Sequence, residues 1–278
     1  IPINIKKYTR NIFYRININQ ILIRKNYHTI YHPTFSRFFS TGDSLVRVLS
    51  SSNKIGFYGD RLNQSYLQNK LSNKWYNKLI NINKNSKMML EFHRDFIKHT
   101  YNNHYSNKVS IINHKIKGNY HIKDRFFVCT PISSLKAKDW SINNYIKLIN
   151  SICNNNNLTV VLTGSKYESN DVKAFANLLS VKSICLFEKN ILGLFDLISQ
   201  AEFLIGSDSG PAHISAILGK KTFIIEGDKK TSEQFFPYIT SNESEIIFPK
   251  LIRSLDNNYN YKMATSSHAL KIIQNDIA

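Results

Sequence analysis

Three short segments in the second half of the chain place polar and charged side chains where a ligand could use them. The first is TPISSLKAKDW, Thr130 to Trp140, which follows the apolar run FFVCT. Ser133 and Ser134 can hydrogen-bond phosphate oxygens, Lys138 can neutralise the charge of a diphosphate, and a helix starting beyond them adds a favourable partial charge at its N-terminus. The second is GSDSGPAH, Gly206 to His213, in which Asp208 ends an expected strand and Gly210 with Pro211 opens a helix. Glycine admits a ligand to the backbone, and the N–H groups of a first helical turn suit a phosphate. An aspartate beside them is a poor phosphate ligand but a good acceptor for sugar hydroxyls. The third is GSKYE, Gly164 to Glu168, where a carboxylate at a strand-to-helix junction can hold vicinal ribose hydroxyls.

Each segment also has a plainer reading. TPISSLKAKDW is equally an ordinary polar loop with solvated lysines. Asp208 is equally a helix-capping carboxylate, and Glu168 a first-turn acid that satisfies the helix dipole. His213, one turn into its helix, reads as a packed histidine. What favours the chemical reading is common placement: together the three loops would set a diphosphate, a ribose and a polyol above one sheet.

The elements that must hold these loops follow from periodicity. From residue 125 onward, apolar β-rich runs alternate with segments of helical period. Phe126 to Thr130 reads as a buried strand and Ser141 as the N-cap of a helix with the stripe Ile142, Tyr145, Ile146, Ile149 and Ile152. The four asparagines Asn154 to Asn157 end it. Strands are expected at Leu158–Leu162, Ser183–Phe187, Glu202–Ile205 and Thr222–Ile225, with helices at Asn170–Leu179 and Ile191–Gln200. Pro211 fits the first turn of a further helix and Gly219 the residue just past its end. Such alternation implies a parallel sheet covered on both faces, with ligands at the C-terminal ends of the strands. The first half is less regular: strands at Thr29–Tyr31 and Ile55–Tyr58 flank a helix at Leu45–Leu49, with helical patches at Trp75–Ile80 and Met88–Ile97. A final amphipathic helix is expected at Ser266–Ile277.

Length and composition bound the rest. The 278 residues suffice for two domains, and 42% hydrophobic with 20% charged residues describe a globular chain rather than a disordered one. No apolar run is long enough for a membrane-spanning helix, and the opening IPINIKKYTRN carries no signal-peptide core. Cys129, Cys153 and Cys185 are odd in number and lack ligand spacing, which reads as a reduced compartment without structural zinc. The net charge of +18 is uneven: residues 1–124 hold 21 Lys and Arg against 5 Asp and Glu, residues 125–278 hold 16 against 14. Part of the lysine, like the 33 asparagines, can reflect A/T-rich codons, but codon bias would act on both halves alike. A basic first half therefore points to an anionic partner. No nucleic-acid module accompanies the charge, so no nucleic acid is expected.

The order and spacing of SSLKAKDW, TVVLTGSKYE and LFEKNILGLFDLISQAEFLIGSDSGPAHISAILGKKTFIIEG resemble the C-terminal half of glycosyltransferase family 9, the lipopolysaccharide heptosyltransferases. The resemblance covers Arg125 to Pro237 well and extends more loosely to YHTIYHPTFSR and NKIGFYGD in the first half. It implies an α/β architecture of GT-B type, two Rossmann-like domains with parallel sheets. On that frame residues 1–120 would form an acceptor-side domain incomplete at its start, residues 121–255 the nucleotide-sugar domain, and residues 256–278 a tail with a final helix. By resemblance Ser133, Ser134, Lys138, Ser209 and Gly210 would bind the donor phosphates, Asp208 the sugar, Glu168 the ribose, and Lys189 with Asn190 the base. The implied reaction moves a heptose from ADP-heptose or a similar donor to a lipopolysaccharide-core-like acceptor, with inversion and with neither metal nor cofactor. The implied location is the cytoplasm, on the inner membrane face where the basic half meets anionic lipid.

The family opens with a strand and a Gly-Asp loop and presents an acceptor-side catalytic aspartate, and that opening is missing here. About 26 residues precede the YHTIYHP strand, and the first residue is Ile rather than Met, so a fragment or a shortened form is expected. Gly42-Asp43 stands too deep in the half-domain to be that motif, and the catalytic base is unassigned. The alternative is a nucleotide-sugar-binding relic without transfer activity. A serine hydrolase reading of GDSL, Gly42 to Leu45, fails because no buried strand precedes it and no Asp/His pair follows at a suitable spacing.

Overall fold

A computed structural model of the chain describes residues 1–82, 89–101, 120, 122–132, 140–188, 190–225, 250–252, 254–255, 261–262 and 264–277. Two units divide at Ser106 and Asn107. The first runs α1 (Ile5–Arg10), α2 (Ile12–Ile23), β1 (Thr29–His32), a π-helical turn (Phe39–Asp43), α3 (Ser44–Val48), β2 (Asn53–Phe57), α4 (Tyr66–Asn73), β3 (Lys78–Ile80) and α5 (Met89–Tyr101). Its sheet is parallel, in the order β1-β2-β3. Asn4 accepts the Lys7 N–H at the start of α1 and Asn11 accepts that of Tyr14 at the start of α2, so two side-chain caps break what would otherwise be one helix. Phe92 and Phe96 of α5 cover one face of the sheet through Ile55, Phe57 and Ile80. On the other side Ile30, Val46 and Tyr76 pack together, and Tyr8, Ile18 and Leu22 of α1 and α2 pack onto Leu45 and Leu49.

One departure from the sequence reading lies here. Trp75–Ile80, expected to be helical, instead leads into β3, because Lys78–Ile80 finds its backbone partners on β2, from Ile55 to Phe57. An apolar run this short has no helical period to hold it against a waiting strand edge. The surroundings of GDSL agree with setting that motif aside. Asp43 and Arg37 have no exposed side-chain surface and face each other with Arg37 Nη1 3.4 Å from Asp43 Oδ1. The Tyr76 hydroxyl donates to the same oxygen at 2.6 Å, and the Gln64 amide donates to Oδ2. Arg37 also donates to the Tyr58 carbonyl at 3.3 Å and to the Asn73 side chain, and lies 4.9 Å over the Tyr76 ring. His32 Nδ1 is 2.6 Å from the Tyr76 oxygen. Since the hydroxyl gives its one proton to Asp43, the imidazole is the donor there. Asp43 is thus a buried tie between the segments after β1 and β2, α4 and the approach to β3. It presents no carboxylate to a substrate.

The second unit contains β4 (Phe126–Thr130), α6 (Ile142–Asn156), β5 (Thr159–Leu162), a 3₁₀ turn (Lys166–Glu168), α7 (Ser169–Ala176), β6 (Ser183–Cys185), α8 (Ile191–Gln200), β7 (Phe203–Ser207), α9 (Gly210–Ile217), β8 (Lys221–Ile225), β9 (Lys250–Ile252), a small hairpin of β10 (Ser254–Leu255) and β11 (Tyr261–Lys262), and α10 (Ser266–Ile277). Strands β4 to β9 form one parallel sheet in the order β6-β5-β4-β7-β8-β9. Period-two alternation divides its side chains. Phe127, Cys129, Val160, Leu162, Phe203, Ile205, Phe223 and Ile225 face the layer containing α6, α7 and α10. Phe126, Val128, Val161, Leu204 and Ile224 face α8 and α9. Both faces are closed, as the near-continuous apolar strands require. The asparagine run ends α6 through Asn157, whose φ of 51° is left-handed, and Gly219 at φ 69° does the same just past α9. Among the described residues no helix is long and apolar enough to cross a membrane.

Replacing Asp43 by Asn leaves the Arg37 guanidinium buried without its counter-charge and should cost the first unit about 3–5 kcal/mol. Trp75 lies in this unit and Trp140 in the other, so denaturant titration of a Trp140→Phe background, followed by Trp75 fluorescence, reads the loss. Burial holds the His32 imidazole below the ordinary histidine range, outweighing the pull of Asp43, and burial lowers His93 likewise. The unfolded chain then binds more protons between the folded values and about 6.5. Stability of the first unit should therefore fall as pH drops through that window, and the fall should be shallower in His32→Gln.

Candidate functional site

The strand order of the second unit reverses between β4 and β7. From β4 the chain steps outward through β5 to β6, then returns to the other side of β4 and proceeds through β7 to β8 and β9. The C-terminal ends of β4 and β7 therefore lie side by side at the reversal, the position at which doubly wound sheets receive ligands. Of the segments singled out by sequence, GSDSGPAH and the opening of TPISSLKAKDW lie at this point. GSKYE follows β5, one strand away. Ser133, Ser134 and Lys138 fall outside the described residues, as does Lys189.

Among the described residues, three buried hydroxyls there have no hydrogen-bond partner: Thr130 Oγ1 at the end of β4, Ser207 Oγ at the end of β7, and Ser209 Oγ just before α9. Each orphaned buried hydroxyl costs about 1–3 kcal/mol unless something satisfies it. Thr130 and Gly206 are paired in register across β4 and β7, and a Cβ on Gly206 would overlap the Thr130 hydroxyl. The missing side chain of Gly206 is what lets that hydroxyl sit against the neighbouring strand.

Asp208 follows Ser207 directly, and its side chain is 6% exposed. Asp208 Oδ1 is 3.5 Å from His213 Nε2, and the His213 ring is 45% exposed. His213 is therefore not the packed histidine expected. Its place one turn into α9 turns it toward the carboxylate and solvent, while the neighbouring Ala212 and Ile214 take the core positions. Ser209 occupies the N-cap position of α9 in an extended conformation, yet its side chain makes no capping bond. Ahead of Gly210, nothing lies within 4 Å of the direction a Cβ would take. Open space thus faces the first turn of an eight-residue helix, beside an unused hydroxyl and a nearly buried carboxylate.

Glu168 and Asn190 sit differently. Glu168 Oε2 accepts the Ser165 N–H at 2.7 Å, half of a reciprocal capping box that shapes the turn after β5. Asn190 accepts the Gly193 N–H at 2.9 Å and so caps α8. Cys129 and Cys153 are buried free thiols; burial raises both, Cys153 to about 11, which keeps them protonated and unreactive. The unpartnered hydroxyls of Thr130 and Ser207 escaped the sequence reading. The apolar runs FFVCT and FLIGS mark both as strand ends, but nothing local says that the two ends are neighbours.

A model of glycosyltransferase family 9 (heptosyltransferase) matches residues 43–256. No curated protein matches the chain in sequence. Among solved structures, the glycosyl transferase family 9 protein of Veillonella parvula superposes with a TM-score of 0.71 at 14% identity, covering 100% of this chain and 81% of that one. The heptosyltransferase WaaC of E. coli with ADP-2-deoxy-2-fluoro heptose gives 0.63 at 16% identity, covering 99% and 82%. ADP-heptose lps heptosyltransferase II of E. coli gives 0.65 at 15%, covering 95% and 80%. The shared fold is that of the GT-B glycosyltransferases.

If the hydroxyls of Thr130 and Ser207 are unsatisfied in the unliganded protein, Thr130→Val and Ser207→Ala should leave stability unchanged or raise it by about 1 kcal/mol. Gly206→Ala should instead lower it by about 1–3 kcal/mol through overpacking. Denaturation monitored at Trp140 in a Trp75→Phe background measures all three.

Proposed function

The chain belongs to glycosyltransferase family 9, and on that premise we propose that it transfers a sugar, heptose by preference, from a nucleoside diphosphate sugar to a lipopolysaccharide-core-like glycan acceptor. The observation that supports this reading is the strand reversal, beside which stand three hydroxyls unpartnered among the described residues, the carboxylate of Asp208 and the N-terminus of α9. A sugar diphosphate brings the complementary groups: acceptor oxygens for the hydroxyls and the helix terminus, donor hydroxyls for the carboxylate.

Asp208 accepts from the hydroxyls of the donor sugar, and Ser209 and Gly210 hold the diphosphate at the first turn of α9. Ser133, Ser134 and Lys138 close on the phosphates from the loop after β4, with Lys138 balancing the negative charge that develops on the departing nucleoside diphosphate. Glu168 meets the ribose, and Lys189 with Asn190 border the base. The acceptor hydroxyl attacks the anomeric carbon from the face opposite the diphosphate, so the product is inverted. Lysine and the helix terminus supply the electrostatic stabilisation, without a metal ion or a cofactor. The base that takes the acceptor proton comes from the first unit and is a group other than Asp43, which is enclosed by Arg37, Gln64 and Tyr76. The excess of basic residues in the first half suits an anionic glycolipid acceptor and a peripheral position on the inner face of a membrane.

Calorimetry should detect saturable binding of ADP or an ADP-sugar. Lys138→Ala and Asp208→Ala should each weaken binding of the ADP-sugar about tenfold or more, with ADP alone feeling mainly the lysine. Transfer to a glycolipid acceptor should persist in a chelator. Folded protein that binds no nucleotide would sink the reading.

A further inference from the structure

Helix α2 carries two apolar stripes on opposite sides. Ile18 and Leu22, four residues apart, are 6% and 5% exposed and face Tyr8, Leu45 and Leu49. Ile12, Ile16 and Ile23, at intervals of four and seven, follow a different line along the helix, with Phe13 beside them. These four are 62%, 47%, 55% and 80% exposed. A helix that only covers a core has charged or polar residues on that side. Ile1 and Ile5 extend the outward apolar surface onto α1.

The segment that carries this surface holds charges of one sign. Residues 1–42 contain no Asp or Glu, and Asp43 is the first acid in the chain. Lys6, Lys7, Arg10, Arg24 and Lys25 are exposed on and between the ends of the two helices. Arg15 turns inward instead, donating to Ser44 at 2.6 Å and lying 5.0 Å over the Tyr8 ring. Exposed apolar side chains on a segment whose exposed charges are all cationic match the acyl boundary and headgroups of an anionic bilayer. A second copy of the same surface would bring the same cations against these.

We propose that α1 and α2 lie on an anionic phospholipid bilayer, with Ile12, Phe13, Ile16 and Ile23 entering the interface and Lys6, Lys7, Arg10, Arg24 and Lys25 meeting the headgroups. The docking surface rests on the reading of the acceptor as an anionic glycolipid, and it gives the membrane contact an address in the fold. The full chain is floated with phosphatidylcholine vesicles with and without phosphatidylglycerol, and the same preparation is titrated with ADP. The chain should float with the anionic vesicles, and high salt should release it. The triple variant Ile12→Glu, Phe13→Glu, Ile16→Glu should reduce the bound fraction about tenfold or more while ADP affinity is unchanged. Failure of the folded chain to bind anionic vesicles at low salt overturns the proposal, as does unchanged binding by the triple variant. So does a dimer that this variant dissociates while vesicle binding is unaltered. ADP binding without vesicle binding removes the docking surface alone, whereas vesicle binding without ADP binding removes the transferase reading alone.

Discussion

The pairing of β4 with β7 is the contact on which the second unit depends. Val128, Cys129 and Thr130 lie opposite Leu204, Ile205 and Gly206, although β5, β6 and the helices that follow them separate the two segments in the chain. Strand β5 could pair with β4 by a simple crossover, but only the return of β7 to the other side of β4 reverses the order of the sheet. In doubly wound sheets a reversal of this kind is where ligands are received. It also brings the ends of two apolar strands together, so that Thr130 and Ser207, each unremarkable alone, become neighbours. Gly206 permits the close approach, since any larger residue would contend with Thr130 for the same volume.

The two units differ in how far their buried polar groups are answered, although the Arg37 Nε of the first is itself without a partner among the described residues. In the first, Asp43 is ringed by an arginine, an amide and a phenol, and the network ties segments that would otherwise be joined only through a three-stranded sheet. Ion-paired networks of this kind favour one arrangement, because removing either charge strands the other. In the second, the hydroxyls of Thr130, Ser207 and Ser209 are buried and unanswered within the protein. An unanswered buried hydroxyl costs stability, and these three stand at or just beyond the C-terminal ends of two neighbouring strands.

Much of the second unit is legible in the sequence because each strand is apolar enough to be buried on both faces and each helix has a single stripe. The cap at Asn157, the glycine after α9 and the limits of α10 follow from residue type. The first unit resists reading for identifiable reasons. Helix α2 is apolar on two sides, which blurs its period. Segment Trp75–Ile80 is too short to choose a state without its partner strand. GDSL looks like a motif, yet its aspartate is enclosed by residues up to 33 positions away, a relation that no local pattern contains. In the site, Asp208, Ser209 and Gly210 can be picked out from their place after a strand, whereas the orphaned state of the hydroxyls emerges only once two distant strands lie side by side.

Helix α10 has a bearing on how the second unit is made. Ala264, Ala269 and Ile273 belong to the same core as Phe127 and Ile149, and the Trp140 indole donates to the Ala264 carbonyl at 2.8 Å across a separation of 124 residues. The sheet can be synthesised strand by strand, but the face covered by α6 and α7 stays partly open until the last helix arrives. During translation, β4 to β8 would therefore emerge from the ribosome with apolar surface still exposed, and the unit would close only when α10 clears the exit tunnel. Contacts over so long a loop form slowly. The order of the helices along the chain thus sets when this core can close.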